Sequence, residues 1–380
     1  MTSQYLNIEE KHRPTVIPAL ASLTDFTISE GEAVDAETVV RSPNVSLYCL
    51  DDATQRAIFV ELPPDVDLAL APFVYVAQYE QALRLIAMPY DTFREVAHSL
   101  PEVQNLILIF SCGRSGSTLL SHVLNSRENV LSLSEPDVAS QYLHLRRADG
   151  SRDVELSELL DCTVRMLFKP SAFKTPTIYA LKFRSEVTQT MDLFHTTFPQ
   201  AKNLYLYRDA VGFIASFYRL FKSMELPEIS PLNETIAMFS QMANYDYGSI
   251  VSKYLGAEAT QISMMEQFTL YWIAQMEWYL AQVARGIPVL AVRYADLNAQ
   301  REQVLAAIFD YCGLPTEQVA RTLSVFDRDS QAGTALAREK PSEGNALRLT
   351  NEQIAEITPI LARHPIIKES DFIAPGTLHV

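Results

Sequence analysis

The sequence predicts a three-layer α/β fold around a central parallel sheet, preceded by an N-terminal β-containing accessory region. Three observations predict it. After Pro101, short apolar runs alternate with helical stretches, the pattern of parallel strands joined by crossover helices. One of these runs, Leu106–Phe110, feeds a glycine-containing polar turn that opens an apolar helix. Before Pro101 the texture is instead that of short strands and turns.

The elements follow in order. Residues 1–40 read as mixed and irregular. Val45–Cys49 and Ala57–Leu62 flank Asp51-Asp52 as a hairpin, and Pro63-Pro64 ends the second run. Leu83–Met88 is a third strand, and a helix over 90–100 is closed by Pro101. This places an accessory region at 1–104 and a catalytic domain at 105–380. In that domain the strand Leu106–Phe110 leads to a helix over 117–125. Ile178–Phe183 and Asn203–Tyr207 are further buried strands, followed by helices over 187–198 and 210–222. Two long helices over 234–254 and 262–285 come next, then a strand at 288–293 and a helix over 298–312. Residues 327–347 are polar and expected to be a loop, with Ser330–Thr334 a candidate lid. Thr350 caps a last helix to about 363. Trp272 and Trp278 sit in an apolar helical stripe and are expected in the core. Tyr245-Asp-Tyr247 is a candidate acceptor contact.

Composition sets the class. Apolar residues make up 48% and charged residues 20% of the 380, as in a globular protein with a sizeable core. The net charge of −15 argues against a nucleic-acid binder, whose surface is basic. The acidity is uneven: residues 1–105 hold 6 Lys and Arg against 16 Asp and Glu. A basic pocket therefore remains compatible with the second part of the chain. Cys49, Cys112, Cys162 and Cys312 lack metal-type spacing, so reduced thiols in a cytoplasmic protein are expected. The first ten residues have neither a basic nor an apolar leader segment, and no apolar run reaches membrane-spanning length.

The turn Ser111-Cys-Gly-Arg-Ser-Gly-Ser-Thr118 carries the chemistry. Backbone N–H groups of such a turn and the helix N-terminus converge where the helix dipole favours an anion. Gly113, Arg114, Ser115, Gly116, Ser117 and Thr118 are the candidate cradle. The turn is close to a Walker A loop, but Ser117 stands where the ATP-binding lysine belongs, and the positive charge comes earlier, at Arg114. A second constellation is Arg208-Asp209 with Ser216 eight residues on. Arg208 lies just past the carboxyl end of a strand, where ligands bind in open α/β sheets, and with Ser216 it can clamp a second phosphate.

A cradle for one anion and a clamp for another suit a 3′-phosphoadenosine 5′-phosphosulfate (PAPS) donor, and the chain resembles the PAPS-dependent sulfotransferases. Arg114-Ser-Gly-Ser-Thr-Leu119 is similar to their 5′-phosphosulfate loop, and Arg208-Asp209 with Ser216 to their 3′-phosphate site. Arg293-Tyr-Ala-Asp-Leu297 is a weaker likeness to a third segment, with Ala295 in a glutamate position. The resemblance covers about residues 105–315. It implies a P-loop-type fold, PAPS as co-substrate and no metal, since the cations are side chains.

Within the family, Arg114 is closer to the tyrosylprotein and carbohydrate types than to the small-phenol enzymes. In the tyrosylprotein type a glutamate 21 residues after the loop arginine acts as base, which implies that role for Glu135 here. The small-phenol enzymes use a histidine on the next strand, and the corresponding place, Lys182-Phe-Arg184, has none. Only one of Lys182 and Arg184 is expected to face the site, and Lys182 is the choice. By this resemblance Glu135 takes the acceptor's proton, while Arg114, the turn's N–H groups and Lys182 stabilise charge on the leaving bisphosphate. The acceptor hydroxyl, or as second choice an amine, belongs to a small molecule, carbohydrate, peptide or carrier-bound group. An ATP-dependent P-loop kinase is the rival enzyme, and a non-catalytic nucleotide-binding scaffold the rival without chemistry.

Overall fold

Two largely exposed strands and three buried ones build the N-terminal sheet. β1 (Gln4–Lys11), β2 (Phe26–Ala33), β3 (Val45–Asp51), β4 (Arg56–Glu61) and β5 (Arg84–Pro89) lie in the order β2-β1-β5-β4-β3, with antiparallel ladders. The structure is a computed structural model and describes residues 2–13, 19–256, 258–334 and 348–379. Leu6, Phe26, Tyr48, Ile58, Val60 and Leu85 pack one core of this sheet. The irregular start expected for residues 1–40 is corrected by β1 and β2. Their exposed positions carry Glu9, Glu10, Lys11, Glu30 and Glu32, which hide the apolar alternation. The expected helix before Pro101 is present at Tyr90–His98.

After Pro101 the strands become apolar on both faces, as parallel strands covered by helices require. These are β6 (Leu106–Ser111), β7 (Val130–Ser134), β8 (Ile178–Lys182), β9 (Lys202–Tyr207) and, beyond the short antiparallel pair β10 (Ile229–Pro231) and β11 (Gln261–Ser263), β12 (Leu290–Arg293). The central sheet has the order β12-β9-β6-β8-β7. Every residue of β6 is buried. β7 and the helix Asp153–Leu167 add to the expected elements; Val-Leu-Ser-Leu-Ser is too short and too serine-rich to announce a strand.

The chain divides into two compact units: Met1–Ile109, Thr118–Lys202 and Arg321–Ser330 form one, and Phe110–Ser117, Asn203–Ala320 and Gln331–Val380 the other. The first holds the N-terminal sheet, β7 and β8. The second holds the turn after β6, β9, β12 and the long helices.

In the second unit the helix Met264–Ala284 is buried on nearly all sides. Trp272 is fully buried and its indole donates to the Arg208 carbonyl at 2.9 Å, while Trp278 is 6% exposed, so both are core residues as expected. Tyr247 is buried too, donating to the Gln267 carbonyl, and Tyr245 meets Trp278 edge-on. The expected helix over 234–254 is two helices, Leu232–Ala243 and Tyr247–Tyr254. Asn244, at φ 46°, ends the first, and the Asp246 side chain caps the second. Likewise 187–198 begins as a 3₁₀ turn, Ser185–Thr190, and 298–312 is split into Tyr294–Ala299 and Arg301–Tyr311. Residues 335–347 of the expected polar loop lie outside the described residues. The last helix, Asn351–Arg363, starts at Thr350 with a reciprocal cap to Gln353.

Glu277 ties this helical layer together. Its Oε1 accepts from Lys253 Nζ at 2.9 Å, from the Tyr254 hydroxyl at 3.1 Å and faces His364 Nε2 at 3.2 Å. Burial works against its charge, but these partners outweigh burial and hold its pKa at about 2, below the ordinary 4.5. A depressed carboxylate pKa adds stability above its ordinary value, lost as pH falls through the folded one. Glu277→Gln should therefore lower stability at pH 7 by about 1–2 kcal/mol, a range kept small because the side chain is partly exposed. Thermal melts at pH 7 and pH 3 should show the gap between variant and parent narrowing at the lower pH. An equal gap at both would mean the charge is not responsible.

Candidate functional site

The cradle forms because β6 stops at Ser111 and the next residues take left-handed backbone. Gly113 has φ 82°, Arg114 φ 53° and Gly116 φ 86°. Such residues turn successive N–H groups toward one side, which makes an anion nest. For Arg114 the conformation costs about 1–2 kcal/mol, and several contacts hold it. The Cys112 N–H and the Ser115 hydroxyl both donate to the Leu206 carbonyl on β9, at 3.0 and 2.9 Å. Ser111 Oγ donates to Ser117 Oγ at 3.2 Å. Gly116 is required twice over, since a Cβ there would lie 3.0 Å from the Tyr294 ring. Ser117 and Thr118 are buried in the first turn of the helix Ser117–Asn125. Burial pushes the Cys112 thiol up to about 12, which makes it an inert neighbour of the turn.

Arg208 and Ser216 are the second constellation that the sequence singles out. Asp209 caps the helix Ala210–Ser223 by accepting from the Gly212 N–H at 2.7 Å. That removes the simplest structural role for Arg208, because among the described residues no carboxylate pairs with it. Its Nε is buried and has no hydrogen-bond partner. The guanidinium lies over Gly212, where a Cβ would come 2.6 Å from Nε, and stacks 4.7 Å from the Tyr294 ring centroid. Ser216 is one helical turn after Gly212 and so shares its face. Arg114 reaches the same face, its Nε donating to Ser216 Oγ at 2.9 Å and its Nη1 to Gln331 Oε1 at 2.8 Å. Gln331 belongs to the candidate lid.

The acid–base candidates form a set of their own. Lys182, at the carboxyl end of β8, pairs its Nζ with Glu135 Oε1, just past β7. Glu135 has φ 54° although Pro136 follows, a position normally restricted to extended backbone. Its N–H donates to the Lys182 carbonyl at 2.6 Å. Asp137, two residues on, is wholly buried and accepts from Arg184 Nε at 2.7 Å, Arg184 Nη2 at 2.9 Å, Arg13 Nη2 at 2.5 Å and the Ala21 N–H at 2.9 Å. Burial opposes the charge of Arg184, and Asp137 more than offsets it, so its pKa is raised. Lys182 and Arg184 do not diverge as expected. Two residues apart, they take carboxylates that are themselves two apart.

Sequence reasoning missed Gly212, Tyr294 as the ring under Arg208, Asp137 and Arg13. A glycine four residues after Arg208 in the first turn of a helix was a usable signal. Arg13 offered none, since 124 residues separate it from Asp137. Among the described residues no group of three His, Cys, Asp or Glu could hold a metal ion, and no helix is long and apolar enough to cross a membrane.

A sulfotransferase-domain family model matches residues 104–342. No curated protein sequence matches the chain. Among solved structures, the chain is similar to sulfotransferase STF9 from Mycobacterium avium at 13% identity, covering 70% of this chain and 77% of that one with a TM-score of 0.41. A sulfotransferase from Alicyclobacillus acidocaldarius matches at 14% identity, over 68% and 93% of the two chains, with a TM-score of 0.38. A retinol dehydratase in complex with androsterone and the inactive cofactor PAP matches at 14% identity over 90% and 96%, with a TM-score of 0.33. The matched family segment takes in more than half of the chain, including the cradle, Glu135, Lys182, Arg208 and Ser216. The protein belongs to the sulfotransferase family, enzymes that transfer a sulfuryl group.

Proposed function

We propose that the donor is PAPS, that the acceptor is a hydroxyl compound, and that Glu135 is the base, with residues 105–380 as the catalytic domain. One observation carries the donor assignment: Arg208 has a buried Nε without a partner, and Arg114 meets Ser216 on the same helix face. A guanidinium at Arg208 that no carboxylate neutralises among the described residues suits a phosphate that is not adenosine's 5′ one. The turn Gly113–Thr118, with its N–H groups and helix N-terminus, suits the 5′-phosphosulfate.

PAPS supplies an activated sulfuryl group on a phosphate leaving group. The residues of the chain then divide the work. Arg208 and Ser216 hold the 3′-phosphate. The N–H groups of Gly113–Thr118, together with Arg114, receive negative charge as it develops on the 5′-phosphate. Arg114 also leaves its left-handed position poorly substitutable, because a lysine there would lose the fork that reaches Ser216 and Gln331. Glu135 accepts the proton of the acceptor hydroxyl at its carboxylate. Lys182 holds that carboxylate through its ammonium and adds positive charge. Ser117, where an ATPase has lysine, argues against ATP. The chemistry is carried by side-chain and backbone donors.

Differential scanning fluorimetry tests the donor. 3′-Phosphoadenosine 5′-phosphate (PAP) should raise the melting temperature and ATP–Mg²⁺ should not. The reverse result would favour the kinase. Arg208→Ala should weaken PAP binding by about 10- to 100-fold, the loss of hydrogen bonds to a charged group. The base is tested separately by PAPS turnover across an acceptor panel, read as a mass gain of one sulfo group. Glu135→Gln should lower kcat by about 10²- to 10⁴-fold while PAP affinity stays unchanged. Retained turnover would remove Glu135 from the reaction.

A further inference from the structure

We infer that Ser370, in the C-terminal segment beyond the part that the family model matches, is a positioning residue for Arg208, and that through it the donor site prefers a nucleotide with a 3′-phosphate to one with a 5′-phosphate alone. The inference rests on the reading of Arg208 and Ser216 as the 3′-phosphate clamp.

The segment Ser370–Leu378 runs as a strap along β12, the edge strand of the central sheet. The Ala291 N–H donates to the Gly376 carbonyl at 2.9 Å, and the Leu378 N–H donates to the Ala291 carbonyl at 2.8 Å, which makes a parallel bridge. The Tyr279 hydroxyl donates to the Pro375 carbonyl at 2.5 Å. A strap fixed at three points can hold what it touches.

What it touches is the chain on both sides of Arg208. Before the arginine, the Tyr207 hydroxyl accepts from the Ala374 N–H at 3.3 Å. Thr377 spends its one hydroxyl proton on the Ala374 carbonyl, at 2.5 Å, so in the 2.8 Å contact between Tyr207 and Thr377 the tyrosine donates. After the arginine, Ser370 takes two N–H groups: that of Ala210 on its carbonyl and that of Val211 on its Oγ, both at 2.9 Å.

A helix leaves its first N–H groups without partners of its own. In the helix Ala210–Ser223, Ser370 takes two of them and Asp209 takes that of Gly212. These donors are spent within the protein, so a phosphate arriving here meets the side chains of Arg208 and Ser216 instead. No carboxylate aims the Arg208 guanidinium among the described residues. It is aimed by the Tyr294 ring and by the backbone at Gly212, the residue after the two that Ser370 holds. Freeing Val211 loosens that backbone, and a small misplacement of a charged donor weakens its grip. The turn Gly113–Thr118 hangs from the Leu206 carbonyl instead, so a change at Ser370 reaches the 3′ position and spares the 5′ one.

Isothermal titration of the full-length protein with PAP and with adenosine 5′-phosphate tests this. The parent should bind PAP the more tightly. Ser370→Ala should weaken PAP by about 3- to 10-fold, the loss of one hydrogen bond. Adenosine 5′-phosphate affinity should stay unchanged, which also reports that the variant is folded. In an Arg208→Ala background, Ser370→Ala should weaken PAP no further. The inference is overturned if Ser370→Ala leaves both affinities as they were, lowers both together, or adds its loss to that of Arg208→Ala, as a merely structural serine would. A parent that binds the two nucleotides equally would instead sink the donor reading, and this inference with it.

Discussion

The buried carboxylate of Asp137 is the interaction on which the surroundings of Glu135 and Lys182 depend. It is wholly excluded from solvent and takes four donors from three separate stretches of chain: Arg13, Ala21 and Arg184. Removing a buried charge from water costs several kcal/mol per ion, and only dense hydrogen bonding offsets it. The pairing is therefore a poor source of net stability and a good source of specificity. Deleting the Asp137 carboxylate would take the shared counter-charge from Arg13 and Arg184 at once, at a cost of about 3–5 kcal/mol. The price of that arrangement is justified by what it positions: the backbone two residues earlier, where Glu135 sits.

Backbone strain at Glu135 has the same cause. A left-handed residue before a proline is disfavoured by about 1–3 kcal/mol and persists only where its surroundings over-determine it. Here the Glu135 N–H is bound by the Lys182 carbonyl, its carboxylate by the Lys182 ammonium, and Asp137 anchors the chain beyond Pro136. A glycine would take this backbone without strain but would leave no carboxylate. Keeping a glutamate in a position that suits glycine is an observation that points to chemistry at that side chain.

Legibility in the sequence followed locality. The central strands, the cradle and the helix starting at Ser117 are local patterns of apolar runs, glycine and helix starts, and they were read within a residue or two. Arg208 and Ser216 could be singled out together because both lie within one strand–helix turn. β1 and β2 were hidden because their outer faces are charged, so sheet pairing rather than alternation defines them. The long helix over 234–254 was overread because its apolar period continues across Asn244, where the left-handed backbone breaks it. The Lys182–Glu135 pair spans 47 residues and Arg13–Asp137 spans 124, and no period or motif announces contacts of that range.

Charge is arranged by opposite rules in the two constellations. Arg208 has no carboxylate partner among the described residues, and Asp209, its sequence neighbour, is committed to the helix cap. A buried guanidinium nitrogen left without a partner is costly unless an anion completes it. In the Asp137 cluster, instead, Arg13 and Arg184 share Asp137, Arg13 Nε also lies 3.8 Å from Asp25, and Lys182 takes Glu135, so three cations meet three carboxylates. A donor recognised by unbalanced charge gains affinity from its phosphates whatever the acceptor is. An acceptor meeting balanced charge gains nothing from its own, so selection among acceptors falls to hydrogen-bond direction and shape.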